Sequence, residues 1–148
     1  MFGYVSCLPE TQLMAKFVEE LRNERLMGTR CRKCGAKYLP PRAHCKCGSA
    51  DMEWFKAPCQ GKILTYTSVG FPPQSMSKNA PYTVAIAELK DGSKLLAQLT
   101  GVTLETLRVG MSVQVVSRPL PTGKIVYEFT PIETVEHSKK RCGLEVRR

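Results

Sequence analysis

Histidine, tryptophan and long apolar runs are all scarce in this chain, and each scarcity narrows what it does. There are two histidines, His44 and His137, and one tryptophan in 148 residues. His44 falls among closely spaced cysteines and His137 near the tail, so acid–base catalysis through imidazole has little to work with. A serine-centred nucleophile elbow, a phosphate-binding GxxxxGK[ST] loop and a GxGxxG dinucleotide fingerprint are all missing. No apolar run approaches the roughly 20 residues that cross a bilayer. The first residues, MFGYVSCLPETQ, lack a basic stretch followed by an apolar one. The expectation is a cytoplasmic chain without a membrane partner and without catalysis of its own.

What is present is ordinary globular material with a charge bias. Hydrophobic residues make up 43% and charged residues 24%, which argues for a packed fold over a disordered one. The net charge is +9, so the surface should attract anions such as nucleic acid, nucleotide phosphates or an acidic protein. Part of that excess lies in the last ten residues, 139–148, where Lys139, Lys140, Arg141, Arg147 and Arg148 face a single Glu145. Residues 136–148 are expected to be a mobile basic tail.

Along the chain, Leu13, Met14, Phe17, Val18, Leu21 and Leu26 recur at helical spacing, with Pro9 before them and Gly28 after. The spacing predicts an amphipathic helix over 10–27, its stripe covering either the chain's own core or a partner. Beyond the cysteines the texture turns β-rich. Strands are expected at 62–70, 82–90, 94–100, 112–118 and 124–129, with Asp91-Gly92 as a hairpin turn between the second and third. The stretch 102–109 is either a helical turn or an irregular connection, and 71–81 is the longest turn-rich loop. Five short strands with one longer connection predict a small closed barrel of the OB type.

Four of the seven cysteines crowd into seventeen positions, a density that points to a metal site in a reducing compartment. Cys31-Arg32-Lys33-Cys34-Gly35 has the two-residue separation that lets both sulfurs face one ion, and Gly35 can take the positive φ that closes such a knuckle. The second half, His44-Cys45-Lys46-Cys47-Gly48, has one residue between its cysteines. Residues two apart on an extended chain still point the same way, so Cys31, Cys34, Cys45 and Cys47 form the favoured four-thiolate zinc site. The alternative uses His44 in place of Cys45. Four protein ligands leave no place for water or substrate, so the zinc is expected to be structural. Arg30, Arg32, Lys33, Lys37 and Arg42 either offset part of its negative charge or form an ordinary solvated face. Cys7, Cys59 and Cys142 stand apart and read as small hydrophobes or incidental thiols, with nothing marking Cys7 or Cys59 as an activated nucleophile.

Several segments in fixed order go beyond composition: Gly28-Thr-Arg-Cys-Arg-Lys-Cys-Gly, Tyr38-Leu-Pro-Pro-Arg, Cys45, Trp54, Gly61-Lys-Ile-Leu-Thr-Tyr-Thr, Pro81-Tyr-Thr-Val-Ala, Leu89-Lys-Asp-Gly, Val109-Gly-Met and Tyr127-Glu-Phe. Over residues 10–135 the chain resembles the rubredoxin-like zinc-ribbon plus OB-fold family associated with acyl-CoA metabolism, long known only as a domain of unknown function. The resemblance implies a mainly β protein: an N-terminal helical segment (1–29), a zinc ribbon (30–56), a five-stranded OB barrel (57–135) and the tail (136–148). It further implies a non-catalytic subunit in a hetero-oligomer with a thiolase, or with a synthase, hydratase or aldolase acting on acyl-CoA, where it docks and helps enclose the coenzyme A thioester. The family's zinc ligands carry over to Cys31, Cys34 and Cys45 directly and to Cys47 across the shortened spacing.

The positive charge suits a ligand carrying phosphates, and Lys62, Lys78, Lys94, Arg108, Arg118 and Lys124 are candidates to meet it, with a solvated surface role the favoured reading for each. Two other classes remain: a single-stranded nucleic-acid binder and a pure scaffold for another CoA enzyme. The second and third barrel strands offer Tyr82 as their one aromatic among Val84, Ile86, Leu95, Leu96 and Leu99, which disfavours base stacking.

Overall fold

In the computed structural model, which describes residues 11–121 and 123–132, one helix precedes eight strands. Helix α1 (Gln12–Arg22) begins at Thr11, whose extended backbone and hydroxyl cap the Met14 amide at 3.3 Å. The helix stops five residues short of the expected end because Glu24 turns to φ 58°. Leu26 therefore lies beyond the helical stripe, although it is fully buried.

Strands β1 (Met27–Cys31), β2 (Lys37–Tyr38) and β3 (Met52–Lys56) form a small antiparallel sheet in the order β2-β1-β3. After it come β4 (Gln60–Val69), β5 (Tyr82–Leu89), β6 (Lys94–Leu99), β7 (Ser112–Pro119) and β8 (Ile125–Pro131). These five close into a barrel in the order β4-β5-β6-β8-β7, with β7 returning to pair with β4. All pairs are antiparallel except β6 with β8, where Gln98 faces Glu128 and Leu99 faces Phe129. Five strands with that single parallel pairing give the OB barrel that the sequence predicts.

Gly61 sits where β4 pairs with both neighbours, opposite Leu89 on β5 and Val113 on β7. A Cβ there would lie 2.4 Å from the Glu88 carbonyl oxygen, so glycine lets the barrel close at this corner. The Asp91-Gly92 hairpin forms as expected. Gly92 adopts φ 82°, and the Asp91 carboxylate accepts from the Ser93 amide at 3.1 Å and its hydroxyl at 2.8 Å. Residues 71–81 include a short 3-10 helix, Gln74–Asn79. The 102–109 connection is irregular, with one turn closed by the Leu107 amide on the Thr103 carbonyl.

The core is one cluster that joins α1 to the barrel. Phe17, Val18 and Leu21 pack with Ile63, Ala87, Leu95, Val113, Val115 and Phe129. Phe17 also meets Tyr127 edge to face, ring centres 6.1 Å apart. The helical stripe thus covers the chain's own barrel. Its two halves of the alternative, core or partner, are decided by contact.

Candidate metal centre

The first knuckle follows directly from β1. Cys31 ends that strand, and the Gly35 amide returns to its carbonyl at 2.9 Å, with Gly35 at φ 75°. The Cys31 sulfur accepts the amides of Cys34 and Lys33, and the Cys34 sulfur accepts that of Ala36. The second knuckle repeats this on a shorter chain. The Gly48 amide reaches the Cys45 carbonyl at 3.0 Å and Gly48 sits at φ 83°. Buried Thr29 anchors the approach to it: its hydroxyl donates to the Arg42 carbonyl at 2.9 Å and accepts the Arg42 amide at 2.8 Å.

Folding brings the sulfurs of Cys31, Cys34, Cys45 and Cys47 within 4.8 Å of one another. Cys31 Sγ lies 3.7 Å from Cys47 Sγ, and Cys34 Sγ lies 3.3 Å from Cys45 Sγ. Four thiolates around one zinc at about 2.3 Å would stand about 3.8 Å apart, so this donor set fits a tetrahedral ion with small adjustments. His44 is exposed and outside the group. Buried Cys31 and Cys45 alternate with exposed Cys34 and Cys47.

The thiols are strongly differentiated. The Cys47 amide and the Tyr38 hydroxyl hold Cys45 down at about 6. At Cys34 the Ala36 amide pulls downward, but the hydrogen bond with Cys45, burial and the other cysteines together push it up to about 11.

Tyr38 is the contact that the sequence did not single out. Its hydroxyl accepts the Lys46 amide at 2.9 Å and stands 3.2 Å from Cys45 Sγ.

The basic residues around the knuckles are mostly engaged elsewhere, which revises their expected role as a counter-charge to the thiolates. Arg30 and Arg32 both pair with Glu53, and Arg32 also approaches Asp51 at 3.7 Å. Those two guanidiniums, Arg30 foremost, hold the Glu53 carboxyl below the usual range. Lys37 reaches across to the barrel hairpin, 3.1 Å from the Asp91 carboxylate, and Arg42 lies 5.2 Å over the Tyr38 ring.

The candidate phosphate-binding cations do not share one site. Lys94 lines a cleft of about 570 Å³ with Lys37, Tyr38, Arg42 and Asp91, where the ribbon meets the barrel. Lys62 lines a different groove, beside Leu64, Val109 and Ile132. Lys78 and Arg108 are exposed on connections. Arg118 makes a two-pronged pair with the buried Glu128 carboxylate, at 2.9 and 2.5 Å, and Lys124 precedes β8. Cys59 is buried and disulfide-bonded, which removes it as a nucleophile. Cys7, Cys142, His137 and the basic tail lie outside the described residues. Among the described residues no helix is long and apolar enough to cross a membrane.

Comparison with known proteins agrees with this architecture. Residues 18–53 match the family model described as the ChsH2 rubredoxin-like zinc ribbon domain, and residues 54–118 the one described as the ChsH2 C-terminal OB-fold domain. A DUF35 domain-containing scaffold protein of Methanocaldococcus jannaschii is 37% identical over 116 residues, 73% of this chain and 82% of its own. The benzoylsuccinyl-CoA thiolase subunit BbsA of Geobacter metallireducens is 26% identical over 95 residues, 64% of this chain and 63% of its own. Among solved structures, a chain of the Ltp2-ChsH2 (DUF35) aldolase superimposes with a TM-score of 0.71 at 27% identity, over 84% of this chain and 98% of that one. By fold, by its converging cysteines and by sequence, this chain belongs to the DUF35 family of rubredoxin-like zinc ribbon plus OB-fold proteins.

Proposed function

We propose that this chain is a non-catalytic, zinc-holding subunit of an acyl-CoA-processing complex, one that docks on a thiolase-type enzyme and helps enclose the coenzyme A thioester. Cys31, Cys34, Cys45 and Cys47 would hold the ion. With four thiolates it is a closed structural site, supplying folding energy to the ribbon and no reactive position.

The observation that carries the reading is the likeness to the aldolase's DUF35 chain, which runs over nearly the whole of that chain. The relative named as a thiolase subunit is the ground for taking a thiolase as the partner. One feature of this chain supports it. The cleft between ribbon and barrel is lined by Arg42 and Lys94, cations suited to a phosphate-bearing ligand, beside the Lys37–Asp91 ion pair.

The test is co-expression with a thiolase-type acyl-CoA enzyme from the source organism, followed by purification on a tag carried by this chain. The expected outcome is a stable hetero-oligomer whose thiolase activity falls when the ribbon cysteines are replaced. Isolation of this chain alone, with thiolase activity indifferent to it, would refute the proposal. So would tight binding of single-stranded DNA with a steep salt dependence.

A further inference from the structure

The two knuckles are unequal in length, and the difference can be followed donor by donor. Cysteine sulfurs that bind a metal carry negative charge, and that charge is stabilised by N–H and O–H groups pointing at them. In the first knuckle, with two residues between the cysteines, Cys31 receives the Lys33 and Cys34 amides and Cys34 receives that of Ala36. In the second, one residue separates Cys45 from Cys47. The amide that reaches Cys45 Sγ is that of Cys47, at 3.5 Å. The amide three residues on, that of Gly48, goes to the Cys45 carbonyl instead of its sulfur, and the Lys46 amide donates to the Tyr38 hydroxyl oxygen at 2.9 Å. Since that oxygen is already an acceptor, its own hydrogen is free to turn to Cys45 Sγ, 3.2 Å away.

We infer that Tyr38 is a positioning residue for the metal centre: its phenol relays the Lys46 amide to the Cys45 sulfur and so replaces the donor lost when the second knuckle was shortened by one residue. The placement is held from both sides. Tyr38 lies in β2, opposite Thr29 of β1, and Thr29 in turn fixes the backbone at Arg42. The Arg42 guanidinium lies over the phenol ring. Strand pairing thus sets the distance between the hydroxyl and the knuckle that follows it by seven to eight residues.

The inference rests on the four-cysteine metal reading, and the experiment separates the two. The full chain, as parent and as Tyr38→Phe, is titrated with cobalt(II), and zinc is then competed against a chelator of known affinity. Loss of the phenol hydroxyl is expected to weaken zinc binding about tenfold, within the range for partners that orient a ligand. It should also move the sulfur-to-cobalt charge-transfer band to lower energy, because a thiolate that loses a hydrogen bond gives up electrons more readily. A merely structural tyrosine would leave that band where it is. Unchanged affinity and an unchanged band in Tyr38→Phe overturn the relay. If Tyr38→Phe holds no cobalt at all, a glycine inserted after Lys46 in that variant restores the two-residue spacing. Recovery of the tetrahedral cobalt spectrum supports the relay, and no recovery overturns it. A parent chain that takes up no cobalt overturns the metal reading itself.

Discussion

The ribbon and the barrel sit side by side in one chain but are held by different forces. The barrel shares with α1 a continuous apolar cluster in which Phe17, Ala87, Val113 and Phe129 are wholly shielded from water. The ribbon has a two-residue strand, β2, and among its buried side chains are Thr29, Cys31 and Cys45. A three-stranded sheet of that size buries little apolar surface of its own, so the proposed metal would give the ribbon a staple that the barrel does without. The two meet at Leu26 and Leu39, which belong to the shared cluster, and at the Lys37–Asp91 ion pair. The lesson is that a small module can be grafted onto a stable one if it brings its own staple.

The sharpest break in that comparison is Cys31→Ser. It should abolish stoichiometric zinc and remove metal-binding free energy on the order of 10 kcal/mol from the ribbon. Hydrogen exchange is expected to show β1 to β3 unprotected while β4 to β8 stay protected; equal loss of protection in both regions would mean that the barrel leans on the metal too. Phe129→Ala strikes the other side. Removing a fully buried ring from the cluster should cost about 3–5 kcal/mol in urea unfolding while the zinc content stays at one per chain.

The smallest effect belongs to the contact between the two regions. At Asp91, burial works against the charged form, but Ser93, then Lys37, outweigh it and hold the carboxyl below its ordinary value of 3.8. A carboxyl lowered in the folded state stabilises the fold at pH values above that ordinary value, and the contribution disappears as acid carries the pH down through the folded-state value. Asp91→Asn should therefore cost about 0.5 kcal/mol or less at pH 7, as for other solvent-screened pairs, and nothing once acid has carried the pH below the folded-state value. A cost that persists in strong acid would place the effect in the turn instead of in the charge.

Much of this was readable before any coordinates. Alternation and turn residues mark the five barrel strands because a half-buried strand must repeat every two residues, and Asp-Gly forces a tight reversal. The cysteine spacing, glycine included, marks the knuckles because tetrahedral coordination tolerates few backbone geometries. The end of α1 was misplaced, since Glu24 takes a left-handed conformation that its residue type does not announce. Leu26 kept the helical period by coincidence and is buried for another reason.

The amino-acid order by itself therefore determined the secondary structure of the barrel, the presence of two knuckles and the family, because these depend on local periodicity and short spacings. Tertiary structure alone decided that the stripe of α1 belongs to the barrel core, that Arg30 and Arg32 serve Glu53 in preference to the thiolates, and that Tyr38 reaches Cys45. Each of those is a contact between segments apart in sequence, set by strand pairing and closure of the barrel, and no local pattern encodes the distance at which two such segments meet.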